Sequence, residues 1–184
     1  MEIALPILFL LIPVFWAIGN YNALVRLRNH CGESWADIDT ELKRRHDLIP
    51  NLVESVKGFA RHEEALFRTV TEARARAMAP HDSRKDVMAD ENRLVGQIGQ
   101  LFAVAEGYPD LKSDRHFLEL QRELVNTEDR IQSSRRFFNS NVRELNNRVE
   151  MFPSSIIANA GGFEKQDYFE IDSLGERSAP QVSV

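Results

Sequence analysis

The sequence predicts an all-α chain: an N-terminal transmembrane helix continuing into an elongated antiparallel helical bundle made of long, heptad-patterned helices. Three observations predict it. No charged residue occurs between Ile3 and Val25. Apolar side chains then return every seven residues through the region 21–79, which is the seam of a long packed helix. A second set of seven-residue returns runs from Phe117 to Phe152. Glycine and proline are few and fall mostly at the ends and at breaks between these stretches.

The 184 residues suffice for one domain with appendages. A composition that is 43% hydrophobic and 28% charged excludes wholesale disorder. The net charge of −5, with no basic face interleaved with aromatics, argues against nucleic-acid binding. The single cysteine, Cys31, excludes an internal disulfide and reads as a small core residue on a helical seam.

The uncharged stretch reads as a membrane anchor over residues 1–25, with Ile3, Leu8, Phe9, Trp16 and Ile18 in the span. Its most apolar portion, Ile3 to Ile18, covers roughly 24 Å as a helix, so the crossing also needs Gly19 to Val25 at the interface. Tyr21 suits that boundary as an aromatic anchor. Pro6 and Pro13 are tolerable in a membrane helix. A cleaved signal peptide fits less well: Glu2 stands where a basic n-region is wanted, and the sequence after Trp16 is a poor cleavage site. Arg26 and Arg28 follow the span at once and no Lys or Arg precedes it. The balance of positive charge therefore places the N-terminus outside and the rest of the chain in the cytoplasm.

Residues 26–158 form the expected bundle. On its first helix Trp35, Leu42, Ile49 and Val56 make one seven-residue line, resuming at Val70 and Ala77. Leu24, Cys31, Ile38, Leu52, Phe59, Leu66 and Ala73 make the other. Both lines carry through Pro50 in register, so the expectation is a kink near Arg45 to Asp47 and a helix ending near Met78–Pro80. A second helix is predicted from about Arg84 to Glu106, with Asp82 or Ser83 as N-cap and Gly107 and Pro109 as stops. A third, from Ser113 or Asp114 to about Phe152, carries Phe117, Leu124, Ile131, Phe138, Leu145 and Phe152 at intervals of seven. Its flanking line is partly polar, at Thr127, Ser134 and Asn141. That pattern suits one stripe laid antiparallel against the first helix better than a simple zipper. Residues 159–184 are expected to be packed in part, through Phe163, Tyr168 and Phe169, and flexible from Ser173 on.

These residues carry a recognisable pattern. YNALVRLRN (21–29), WADIDTELKRRHDLIPNLVESVKGFARHE (35–63), AEGYPDLKSDRHFLELQRELVNTEDRIQSSRRFFNSNVRELN (105–146) and FPSSIIA (152–158) resemble the LemA family of bacterial membrane proteins. The resemblance covers most of the chain. It implies an N-terminal membrane helix with a mostly α-helical cytoplasmic domain, and no defined activity. Some family members are associated with intracellular membrane organelles such as magnetosomes, which implies a structural role at membranes. Cys31, Gly32 and the tail after Gly175 depart from the pattern.

No catalytic, cofactor-binding or metal site is expected. The charged group Asp37, Asp39, Glu41, Arg44, Arg45, His46, Asp47, His62, Glu63 and Glu64 reads as a solvated helix face with ordinary i,i+4 pairs. Leu27, Lys43, Phe59, Met78 and Ser113 stand three positions before the five histidines, so the Glu-x-x-His pairs of di-iron bundles are missing. Zinc motifs, a phosphate-binding glycine loop and a nucleophile elbow are missing too. Two charges interrupt the seams: Arg45 lies between Ile38 and Leu52, and Glu63 between Val56 and Val70. A charge on a packed seam is costly unless paired. Either the Pro50 kink turns Arg45 outward or its long stem snorkels, or these residues reach partners on another helix or subunit, for example Glu119, Glu123 or Glu128. The expected partners are the lipid bilayer and further copies of the chain; an adaptor role toward another membrane or signalling protein is the second reading.

Overall fold

The computed structural model describes the backbone of residues 4–170 and the side chains of residues 11–170. Of the expected span, Ile3 and the side chains of Leu8 and Phe9 lie outside the described residues, as does the tail from Ser173. Every element is α-helical: α1 (Ala4–Lys57), α2 (Glu64–Ala77), α3 (Arg84–Ala105), α4 (Pro109–Lys112), α5 (Arg115–Glu150) and α6 (Ser154–Ala160). No strand occurs among the described residues.

The chain divides into two compact units. One comprises the chain through Asp37 together with Arg136–Tyr168; the other comprises Ile38–Arg135 with Phe169 onward. In the first unit α1 and α5 run antiparallel: Ser34 meets Asn141, and Trp35 meets Phe138 edge-on with centroids 5.6 Å apart. Leu24, Leu27, Cys31, Phe138, Val142 and Leu145 are buried there. The polar flank of α5 is used rather than solvated. Asn141 Nδ2 donates to Ser34 Oγ at 3.2 Å, and Ser34 itself donates to the His30 carbonyl at 2.6 Å. After α6 the chain reverses at Gly161 and Gly162. Gly162 has φ +67°, and a Cβ at Gly161 would stand 2.8 Å from the Phe163 ring, so both positions need glycine. The reversal lays Phe163 on α1, edge-on to Tyr21 at 5.6 Å and beneath the Arg28 guanidinium at 5.2 Å.

In the second unit Ile49, Leu52 and Val56 of α1, Phe67 and Val70 of α2, Leu94, Ile98 and Leu101 of α3, and Phe117 and Leu124 of α5 share one core. Ile38, Leu42 and Ile131 are buried as the seven-residue lines predict. Ser83 caps α3, its hydroxyl accepting from Asp86 N at 3.2 Å, and Asp114 caps α5 by accepting from Phe117 N at 2.8 Å.

Three expectations need correction. The first helix does not run to residue 79. It passes through Pro50 and breaks at the turn after Lys57, and α2 resumes the seam at Val70 and Ala77. Pro50 has no N–H, which leaves the His46 carbonyl without its helical donor. Arg74 Nε of α2 takes that carbonyl at 2.6 Å, and α1 continues to Lys57. Phe59, expected on the seam, falls in the turn and is 41% exposed. Phe152, expected to end the α5 seam, lies beyond the helix and is 80% exposed. The second helix ends at Ala105, ahead of Gly107 and Pro109, as expected; Pro109 then opens the short α4, with proline in its first turn, where a missing N–H costs nothing, and with Leu111 fully buried.

Candidate functional site

Arg45 lies in the second unit, on the stretch of α1 between Leu42 and Ile49, and its side chain is 1% exposed. The guanidinium is held by two carboxylates from two other helices. Nη1 donates to Glu91 Oε2 of α3 at 2.9 Å, and Nη2 to Glu128 Oε2 of α5 at 2.5 Å. The other oxygen of Glu91 is 2.7 Å from His46 Nε2. Gln132 reaches the remaining Glu128 oxygen at 3.4 Å. With Arg74 of α2 on the His46 carbonyl, three helices converge on two adjacent residues of α1.

Charges this far from water are tolerated only when every lone pair and proton finds a partner. A planar guanidinium presents donors in a fixed fork and can hold two carboxylates at set angles, which a lysine ammonium cannot do as rigidly. The arrangement fixes which turn of α1 faces which turn of α3 and α5. Beside it, Glu41 Oε1 is 3.5 Å from Arg130, while Glu41 Oε2 is buried without a hydrogen-bond partner. Among the described residues no group of three His, Cys, Asp or Glu side chains is arranged to hold a metal ion. Within the cluster the cation between the carboxylates is Arg45 itself.

The reading of residues 37–64 as a solvated face therefore fails at Arg45 and His46, which are buried, and holds at Lys43, Arg44 and Asp47, which are exposed. Glu63 departs from its expected place on a seam. It stands half-buried at the N-terminus of α2, with no capping hydrogen bond from its side chain. There it edges an open groove between α2 and α3, lined also by Leu66, Thr69, Gln97 and Val104.

Glu91 and Arg74 were missed in the sequence, though a signal for Glu91 existed. It stands seven residues before Ile98 and fourteen before Ala105, on the same buried line. Of the remaining predicted positions, Trp16, Ile18 and Tyr21 are exposed at 40%, 52% and 46%. Arg26 and Arg28 are exposed on α1.

A sequence profile of the LemA family matches residues 34–184. The chain is similar to the magnetosome protein MamQ of Magnetospirillum gryphiswaldense, at 22% identity over 98% of this chain and 76% of that one. It is similar to magnetosome protein MamQ 2 of Paramagnetospirillum magneticum, at 23% identity over 85% of this chain and 67% of that one. The protein LemA of Metamycoplasma hominis matches at 23% identity over 97% of this chain and 81% of that protein.

Proposed function

This chain belongs to the LemA family, and on that footing we propose that it is a non-enzymatic, membrane-anchored helical scaffold that self-associates to organise or shape the bilayer. The observation that carries the reading is on α1. Leu11, Ile12, Val14, Phe15, Trp16 and Ile18 are all exposed, and they continue an uncharged run that begins at Ile3. Among the described residues no helix is long and apolar enough to cross a membrane; the reading adds the apolar residues Ile3 to Leu10 at the head of the same run. Such a surface in water is unfavourable by about 25 cal/mol per Å², and a bilayer removes that cost.

In this reading α1 leaves a bacterial inner membrane, or that of an intracellular organelle, and carries the bundle into the cytoplasm. Relatives named as magnetosome proteins support the organelle alternative. Arg26 and Arg28 set the orientation. Homo-oligomerisation multiplies anchors, so that attachment becomes effectively permanent. The open α2–α3 groove favours a second reading, an adaptor that presents a helical surface to another membrane or signalling protein. Protease added outside sealed, right-side-out vesicles is expected to leave residues 26–184 intact and to digest them once detergent opens the vesicles. Digestion before opening contradicts the anchor and its orientation.

A further inference from the structure

We propose that the corner joining α5 to α6, carrying Met151, Phe152 and Ile156, is a second membrane-contacting element seated in the lipid–water boundary beside α1. The proposal rests on the anchor reading above and adds a surface to it. These three large apolar side chains, within six positions, are exposed by 62%, 80% and 57%. Isolated exposed hydrophobes are ordinary on a protein surface, but a cluster of them marks a contact.

Register identifies the occupant. Within the first unit Trp35 pairs with Phe138 and Ser34 with Asn141, so moving up α5 means moving down α1. From Phe138 to the end of α5 at Glu150 the chain climbs roughly 18 Å at about 1.5 Å per residue, which brings it opposite the turn of α1 that contains Tyr21 and Ala23. The contacts of the next segment agree, since Phe163, just beyond α6, touches Tyr21 and Arg28. The corner therefore stands where the uncharged run of α1 gives way to Arg26 and Arg28. A bilayer that covers Leu11 to Ile18 and ends near Tyr21 meets Phe152 at its boundary, where aromatic rings are favoured. The bilayer is thus the occupant that the geometry points to.

The test uses the full chain in vesicles of phosphatidylcholine and phosphatidylglycerol that contain lipids brominated at shallow acyl positions. Three variants carry one tryptophan each: Trp35→Phe, which leaves Trp16; Phe152→Trp in a Trp16→Phe, Trp35→Phe background; and Phe137→Trp in the same background. Phe137 is 60% exposed and lies fifteen residues before Phe152 on the α5 side, so it reports an aromatic ring clear of the bilayer. Phe152→Trp is expected to lose roughly half its emission, as befits a ring held about 5–10 Å into the boundary, and Phe137→Trp to lose none. Quenching of Trp16 without quenching of Phe152→Trp overturns the corner contact and leaves the anchor standing. Quenching of neither overturns both. Blue-shifted emission from Phe152→Trp that bromine leaves unchanged means that another copy of the chain covers the corner, which also overturns the proposal.

Discussion

Arg45→Met is expected to lower the melting temperature of the helical region by roughly 6–20 °C. The guanidinium bridges Glu91 and Glu128. Its removal leaves two carboxylates, 0% and 10% exposed at their side chains, facing an apolar methionine. Breaking a buried ion pair from one side costs about 3–5 kcal/mol, and each kcal/mol moves the midpoint by roughly 2–4 °C in a chain of this length. The penalty comes from stranded charge, not from a net attraction that has been lost. Arg45→Met combined with Glu91→Met and Glu128→Met is therefore expected to recover most of the stability. Thermal scans of the single and triple variants check both statements. An unchanged midpoint for Arg45→Met contradicts the account of the cluster. A triple variant no more stable than the single one shows that shape, not charge, was lost.

Phe138→Ala is the second large effect. Phe138 is 0% exposed and meets Trp35 edge-on, in the first unit. Truncation of a buried phenylalanine costs about 3–5 kcal/mol through lost transfer energy and the cavity left behind. The loss should fall first on the α1–α5 pairing of that unit. With Trp16→Phe as background, the emission of Trp35 is expected to shift to the red as its edge contact goes and water enters. The same emission in both forms contradicts the pairing.

Much of the helical seam was legible in the sequence, because burial on a helix leaves a period that survives chain irregularities. Ile38, Leu42, Ile49, Leu124, Ile131 and Leu145 are all buried where the seven-residue lines put them. The misreadings have physical causes. The helix does carry through Pro50, as its register predicts, but Gly58 opens a turn that the resumed line at Val70 and Ala77 hides; nothing near Pro50 in sequence reveals that Arg74, twenty-four residues on, takes the carbonyl left without a donor. Glu63 looks like a charge on a seam, whereas the gap it makes between Val56 and Val70 is the trace of the turn itself. A charge on the seam has the opposite meaning at Arg45, where the helix is unbroken and the side chain is buried. Glu91 shows why such clusters are hard to read forward. Its place on a buried line is visible, but its partner sits forty-six residues away on another helix.

The central claim is that the helical region holds copies of this chain together at a membrane. The most direct measurement is the mass and shape of the full-length protein extracted gently from membranes, beside a version starting at Arg26. The account predicts large particles of uniform size from both. Large particles from the first and monomers from the second would move assembly into the N-terminal run. Monomers from both would contradict the scaffold.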